Sequence, residues 1–172
     1  MNCAARCSVR KRPLVCDTTL PLYLGRVGRA QLLPALFSTV CIPESVATEL
    51  DMGRLMRPDT LDPRDLSGVI LVSVPQRDVE ALPLNRLGPG ERAVIAYVRS
   101  HPDCWAGLDD RQARELAEDL GLDVVGTIGV LLRAKKADLI PAVRPLLDAL
   151  HAEGFRLGRD LYREALRLAE EQ

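Results

Sequence analysis

A chain of 172 residues that is 47% hydrophobic and 27% charged has the length and balance of one globular domain, not of a disordered polyampholyte. Lys and Arg number 23 against 24 Asp and Glu, which excludes a protein held on nucleic acid by a bulk excess of positive charge. No apolar run approaches the ~20 residues of a membrane span and no apolar leader follows the basic start, so a cytoplasmic protein with no membrane partner is expected.

Residues 1–13 carry Arg6, Arg10, Lys11 and Arg12, no acid and little to bury, and are expected as a flexible basic extension. Leu14-Val15-Cys16 suits a buried parallel strand ending at Asp17. Thr18 and Thr19 then stand as N-caps before a helix with Pro21 in its first turn, closed near Gly28, and residues 31–37 predict a second short helix. Residues 39–42 are rich in β-branched side chains and stop at Pro43, as a strand does; helical character returns over 44–50. Gly53, Pro58 and Pro63 break the pattern, so 51–67 is expected as a polar loop or lid.

The clearest strand is 69–74, ended by Pro75. Gly88-Pro89-Gly90 makes a turn, and Glu91 opens a helix with Val94, Ile95 and Val98 on one side. A short apolar run through Trp105, expected in the core, reaches Asp109-Asp110, and a helix follows over 111–120 with Gly121 past its end. Val124-Val125 is a last strand. Gly126-Thr127 caps a helix to Lys136, Pro141 starts another, and Asp160 caps the final one. Strand and helix alternate with short connections, which predicts an α/β fold: a parallel sheet with helices on both faces.

The five cysteines are odd in number and follow no secretory signal, so reduced thiols are expected. Cys3 and Cys7 lack the second pair that a zinc site needs, and His101 and His151 are the only histidines.

Parallel sheets bind ligands outside the carboxyl ends of their strands. Asp17, Asp109 and Asp110 follow strands, Glu91 opens a helix and Glu49 lies late in one, so these carboxylates are placed to converge at one rim. Two like charges ~4 Å apart repel by roughly 4 kcal/mol at an effective dielectric of 20. Gathered acids therefore imply a cation, and oxygen donors with few histidines point to Mg2+ or Mn2+. Taken singly, each acid is expected as a cap or a solvated charge, and Asp109-Asp110 ahead of a helix suits an N-cap. Arg111, Arg114, Arg133, Lys135 and Lys136 are the nearest basic residues in sequence, and a solvated helix face is the plain expectation for them.

The segments VCDTTLPLYLGRVG at 15–28, CIPESVATEL at 41–50, LGPGERAVIAY at 87–97 and LDDRQARELAEDLGLDVVGTIGVLLRAKKADLI at 108–140 resemble the PIN-domain family, as does the tail PLLDALHAEGFRLGRDLY. The likeness is to its PIN-like branch of formerly unknown function, related to VapC toxin ribonucleases. It implies a three-layer α/β/α sandwich around a central parallel sheet of four or five strands. The nuclease domain would span 14–140, with a C-terminal helical extension over 141–172 packed on it.

The resemblance also implies a metal-dependent endoribonuclease with Asp17, Glu49, Glu91 and Asp110 as catalytic acids, and Thr19 and Asp109 in support. Asp17, Glu91 and Asp110 would ligate Mg2+ or Mn2+, with Glu49 acting through water. RNA is the implied substrate. The implied partners are a cognate antitoxin, as in type II toxin–antitoxin pairs, and a second copy of the chain in a homodimer. Two departures stand out: Leu20-Pro21 reverses the usual order, and 51–67 is longer than usual. The alternative is a non-catalytic PIN-like module that binds RNA or protein. A receiver domain is disfavoured because its acidic pair would end the first strand.

Overall fold

The strand Leu14–Cys16 (β1) has no solvent exposure at any of its three residues and forms the middle of the sheet. The computed structural model describes residues 11–56, 62–65, 67–83 and 86–171, and of residues 49, 50, 53–56 and 63 the backbone alone. Val40–Pro43 (β2) pairs with β1 on one side, with Val69–Val72 (β3) beyond it. Trp105–Gly107 (β4) pairs on the other side, with Val124–Val125 (β5) at that edge. The order is β3-β2-β1-β4-β5 and every pairing is parallel.

Helices join the strands: Thr19–Arg26 (α1), Leu32–Leu36 (α2), Glu44–Met56 (α3), Gln76–Glu80 (α4), Pro89–Ser100 (α5), Arg111–Asp119 (α6), Thr127–Lys136 (α7), Arg144–Ala152 (α8) and Arg159–Leu168 (α9). Successive strand residues point to opposite faces. Leu14, Cys16, Val40 and Ile42 therefore meet Leu20 and Leu24 of α1, Leu33 of α2, Leu131 of α7, Leu147 of α8 and Leu166 of α9. Val15 and Cys41 meet Val94 and Ile95 of α5 and Ala113 and Ala117 of α6. Covering both faces explains why β1 is apolar throughout and does not alternate. The result is the expected three-layer α/β/α sandwich. Each fully buried Leu, Ile or Val contributes about 1.5–3 kcal/mol.

Several boundaries differ from expectation. α3 does not stop near residue 50 but continues to Met56, a single Gly53 costing a helix only about 1 kcal/mol. Of the rest of the expected 51–67 lid, residues 57–61 and 66 lie outside the described residues. Pro63–Asp65 forms one 3-10 turn, and Arg64 there bonds Asp62 and reaches Asp51 on α3. Pro75 introduces the short α4, which the sequence reading missed. α8 starts at Arg144, not Pro141, and Gly158 rather than Asp160 is the N-cap of α9.

The basic extension expected over 1–13 is anchored from Lys11 on: Arg12 bonds Asp123 at 2.8 Å and the Asp103 carbonyl at 2.8 Å, and Pro13 accepts the Trp105 N–H. Residues 1–10 lie outside the described residues. Trp105 is half-buried, not core, with the guanidinium groups of Arg12 and Arg133 over its ring.

The C-terminal helices share one core with β1, and a carboxylate fastens them. Glu171 accepts hydrogen bonds from Lys135 Nζ at 2.6 Å, Val143 N at 2.7 Å and Arg144 N at 2.9 Å. It thereby satisfies N–H groups that the start of α8 would otherwise leave open, and it favours the positive end of the helix dipole. Burial alone would raise its carboxyl, but Lys135 and the two N–H donors outweigh that and hold it at about 2. Cys16, Cys41 and Cys104 are buried free thiols. Among the described residues no helix is long and apolar enough to cross a membrane.

Candidate active site

Asp17 leaves the central strand one residue past the paired Cys16 and Gly107. Its N–H donates to the Gly107 carbonyl at 3.1 Å. The two strands approach so closely here that a Cβ on Gly107 would lie 2.8 Å from that of Cys16, which only glycine allows. Asp17 is 3% exposed, and its Oδ1 accepts the Thr19 N–H at 3.0 Å. The hydroxyl of Thr18, at the N-cap of α1, makes no capping bond, so the Asp17 carboxylate does that work. Thr19 thus supports the site through its backbone.

Burial pushes the Asp17 carboxyl up to about 8. The nearby Asp109 carboxylate raises it further, the Thr19 and Leu20 N–H groups oppose this, and Glu91 adds a smaller upward push.

Asp109 leaves β4, the neighbouring strand. Its Oδ1 accepts the Thr127 N–H at 2.8 Å and its Oδ2 the Thr127 hydroxyl at 2.5 Å. Thr127 is the first residue of α7 and fully buried. Of the expected cap Gly126-Thr127, Gly126 takes the N-cap position, and the Asp109 carboxylate sits on the helix start. A Cβ on Gly126 would lie 2.7 Å from Asp109 Oδ1 and 3.0 Å from an Arg114 guanidinium nitrogen. Burial raises the Asp109 carboxyl as well, against the pull of Thr127 and Arg114.

Asp110 is exposed, and its Oδ1 accepts the Ala113 N–H at 2.9 Å as the N-cap of α6. Consecutive residues in extended backbone point opposite ways, so one of the pair turns toward the sheet end and the other outward. The resemblance implies Asp110 as a ligand and Asp109 in support; in the structure it is the Asp109 carboxylate that lies in the field of Asp17, while Asp110 caps α6. Glu91 is half-buried in the first turn of α5, its carboxylate folded over Gly88. Glu49 lies on α3, and its side chain is outside the described residues.

Buried carboxylates in each other's field need a proton or a cation. Asp17, Asp109 and Glu91 carry the hard oxygen donors that an ion of the Mg2+ type takes. Among the described residues no three His, Cys, Asp or Glu side chains stand close enough to complete a metal site.

A family model described as "DUF3368: PIN domain" matches residues 13–171. A search of curated proteins gives no significant match.

Proposed function

Because the chain belongs to the PIN-domain family, a nuclease-type fold, we propose that it is a metal-dependent endoribonuclease that hydrolyses RNA phosphodiester bonds. The observation that carries this reading is Asp17, buried at the end of the central strand beside Asp109, with its proton affinity raised. A pair of that kind is stable as two carboxylates only with a cation between or beside them.

A bound Mg2+ or Mn2+ would polarise the scissile phosphate and ease deprotonation of an attacking water. Asp17 and Asp109 would hold it. Thr127 fixes both oxygens of Asp109, so the geometry is set before substrate arrives. Glu91, half-buried in the first turn of α5, would accept the proton of the water. Asp110 stays outside the chemistry as a helix cap. By the same family resemblance we place the protein as the toxin of a type II toxin–antitoxin pair, with a cognate antitoxin and a homodimeric state.

The lack of a third ligand near the pair among the described residues favours a second reading, a non-catalytic PIN-like module that binds RNA or protein. Incubation of total RNA with Mn2+ separates the two, comparing wild type with Asp17→Asn and Asp109→Asn. Cleavage by the wild type that both substitutions abolish is expected. Equal cleavage by all three proteins would overturn the nuclease assignment, and RNA binding without cleavage would establish the module.

A further inference from the structure

Beside β5 and α7 lies a cavity of about 350 Å3 that has Asp109 in its lining. Three arginines share that lining: Arg114, Arg133 and Arg156, with Leu132 and Phe155 among the apolar neighbours. The chain as a whole is slightly acidic, so three guanidinium groups around one cavity are a local arrangement and not a sample of the surface.

Some arginines of the chain pair with acids, Arg111 with Glu115, Arg167 with Glu164 and Arg12 with Asp123. Among the described residues Arg133 and Arg156 have no acidic partner. Arg133 is nevertheless held, with its guanidinium 4.2 Å from the Trp105 ring centroid, which orients the charge without neutralising it. Arg114 is held by the Leu108 carbonyl at 3.2 Å and pairs with Glu118 at 3.6 Å. An oriented guanidinium without an acidic partner, as at Arg133, suits a phosphate, which it can bind with two parallel N–H donors, and the unpaired Arg156 adds a second positive charge. Leu132 and the exposed Leu161 of the same lining offer apolar surface to a nucleobase.

We propose that the cavity lined by Arg114, Arg133 and Arg156 beside Asp109 is the subsite for a phosphodiester flanking the scissile bond of single-stranded RNA. The inference rests on the nuclease reading, since it takes Asp109 as part of the cleavage site.

The test uses a labelled single-stranded RNA dodecamer and the full chain carrying Asp17→Asn to prevent cleavage. Arg133→Gln and Arg156→Gln are added together, and affinity is measured by anisotropy between about 50 and 200 mM salt. Each lost phosphate contact reduces the slope of log K against log salt by about 0.7 for a single strand, so the pair should reduce it by about 1.4. Affinity at low salt should fall about tenfold or more, and Arg133→Lys with Arg156→Lys should restore most of the slope.

Unchanged slope and affinity, with wild-type cleavage intact, would overturn the subsite and leave the nuclease standing. An arginine-dependent slope in a wild type that does not cleave would support the cavity as an RNA site and sink the nuclease reading. Loss of slope that lysine does not restore would mark a structural role and overturn the proposal.

Discussion

Thr127 and Asp109 are joined twice: the N–H and the hydroxyl of one residue donate to the two oxygens of the other's carboxylate, at 2.8 and 2.5 Å. One residue at the start of α7 thus fixes the orientation of an acid that follows β4. Thr127→Val keeps the shape and removes the hydroxyl donor. We expect a loss of about 1–2 kcal/mol in stability, from leaving Oδ2 unpaired, and a cleavage rate lowered about tenfold. Urea melts and single-turnover cleavage measure the two. A variant that matches the wild type in both would show that the second bond is idle.

Asp109 and Asp110 are adjacent but unequal. Asp109→Asn should abolish cleavage, whereas Asp110→Asn should leave it within a few-fold, since asparagine caps a helix as well as aspartate does. Parallel assays of the two proteins decide which one serves the site, and the reverse ranking would return Asp110 to it.

Asp17 gives the metal-free protein an unusual pH response. Its carboxyl titrates near 8 in the folded chain against an ordinary value of 3.8. Above about pH 4 the unfolded chain releases this proton while the folded chain keeps it, so stability falls as pH rises toward 8. Each unit of difference is about 1.4 kcal/mol, so the total is on the order of a few kcal/mol. Denaturation in chelator at pH 5.5 and 8.5 should show the decline, Asp17→Asn should flatten it, and Mn2+ at the higher pH should reverse it. A wild type with no slope would count against the buried acid.

Glu171 has the opposite sign. Its carboxyl is held at about 2, so the stability it contributes is present above the ordinary glutamate range and is lost as pH falls toward 2. Glu171→Gln should cost about 1–3 kcal/mol at pH 7 through the weakened bonds to Lys135 and the start of α8, with the difference from wild type shrinking in acid. Equal thermal midpoints at pH 7 would refute this.

Much of the sheet was legible in the sequence because apolar runs such as 14–16 end abruptly at breakers or acids, and buried parallel strands look like that. Asp17 and Glu91 stood out for the same reason, one closing a strand and the other opening a helix. Which of Asp109 and Asp110 faces Asp17 and Thr127 was not legible: spacing treats neighbours alike, and only the course of the chain after β4 and the position of α7 tell them apart. The Thr127 contact spans 18 positions and leaves no local pattern. The grip of Glu171 on α8 was invisible too, as a glutamate near a helix end resembles any solvated charge. The run of α3 to Met56 escaped notice because Gly53 was weighed as a breaker, whereas the Arg64 to Asp51 contact secures that helix from outside.

The order of the strands carries a consequence for when the chain becomes active. β1 lies at the centre of the sheet, yet its neighbour β4 is far along the sequence, with Leu14 opposite Trp105. Pairing residues so distant in sequence carries a loop-closure cost that local contacts do not. A half-made or partly denatured chain therefore carries Asp17 and Asp109 as strangers, and any power to cut RNA switches on only when the last distant segments have met.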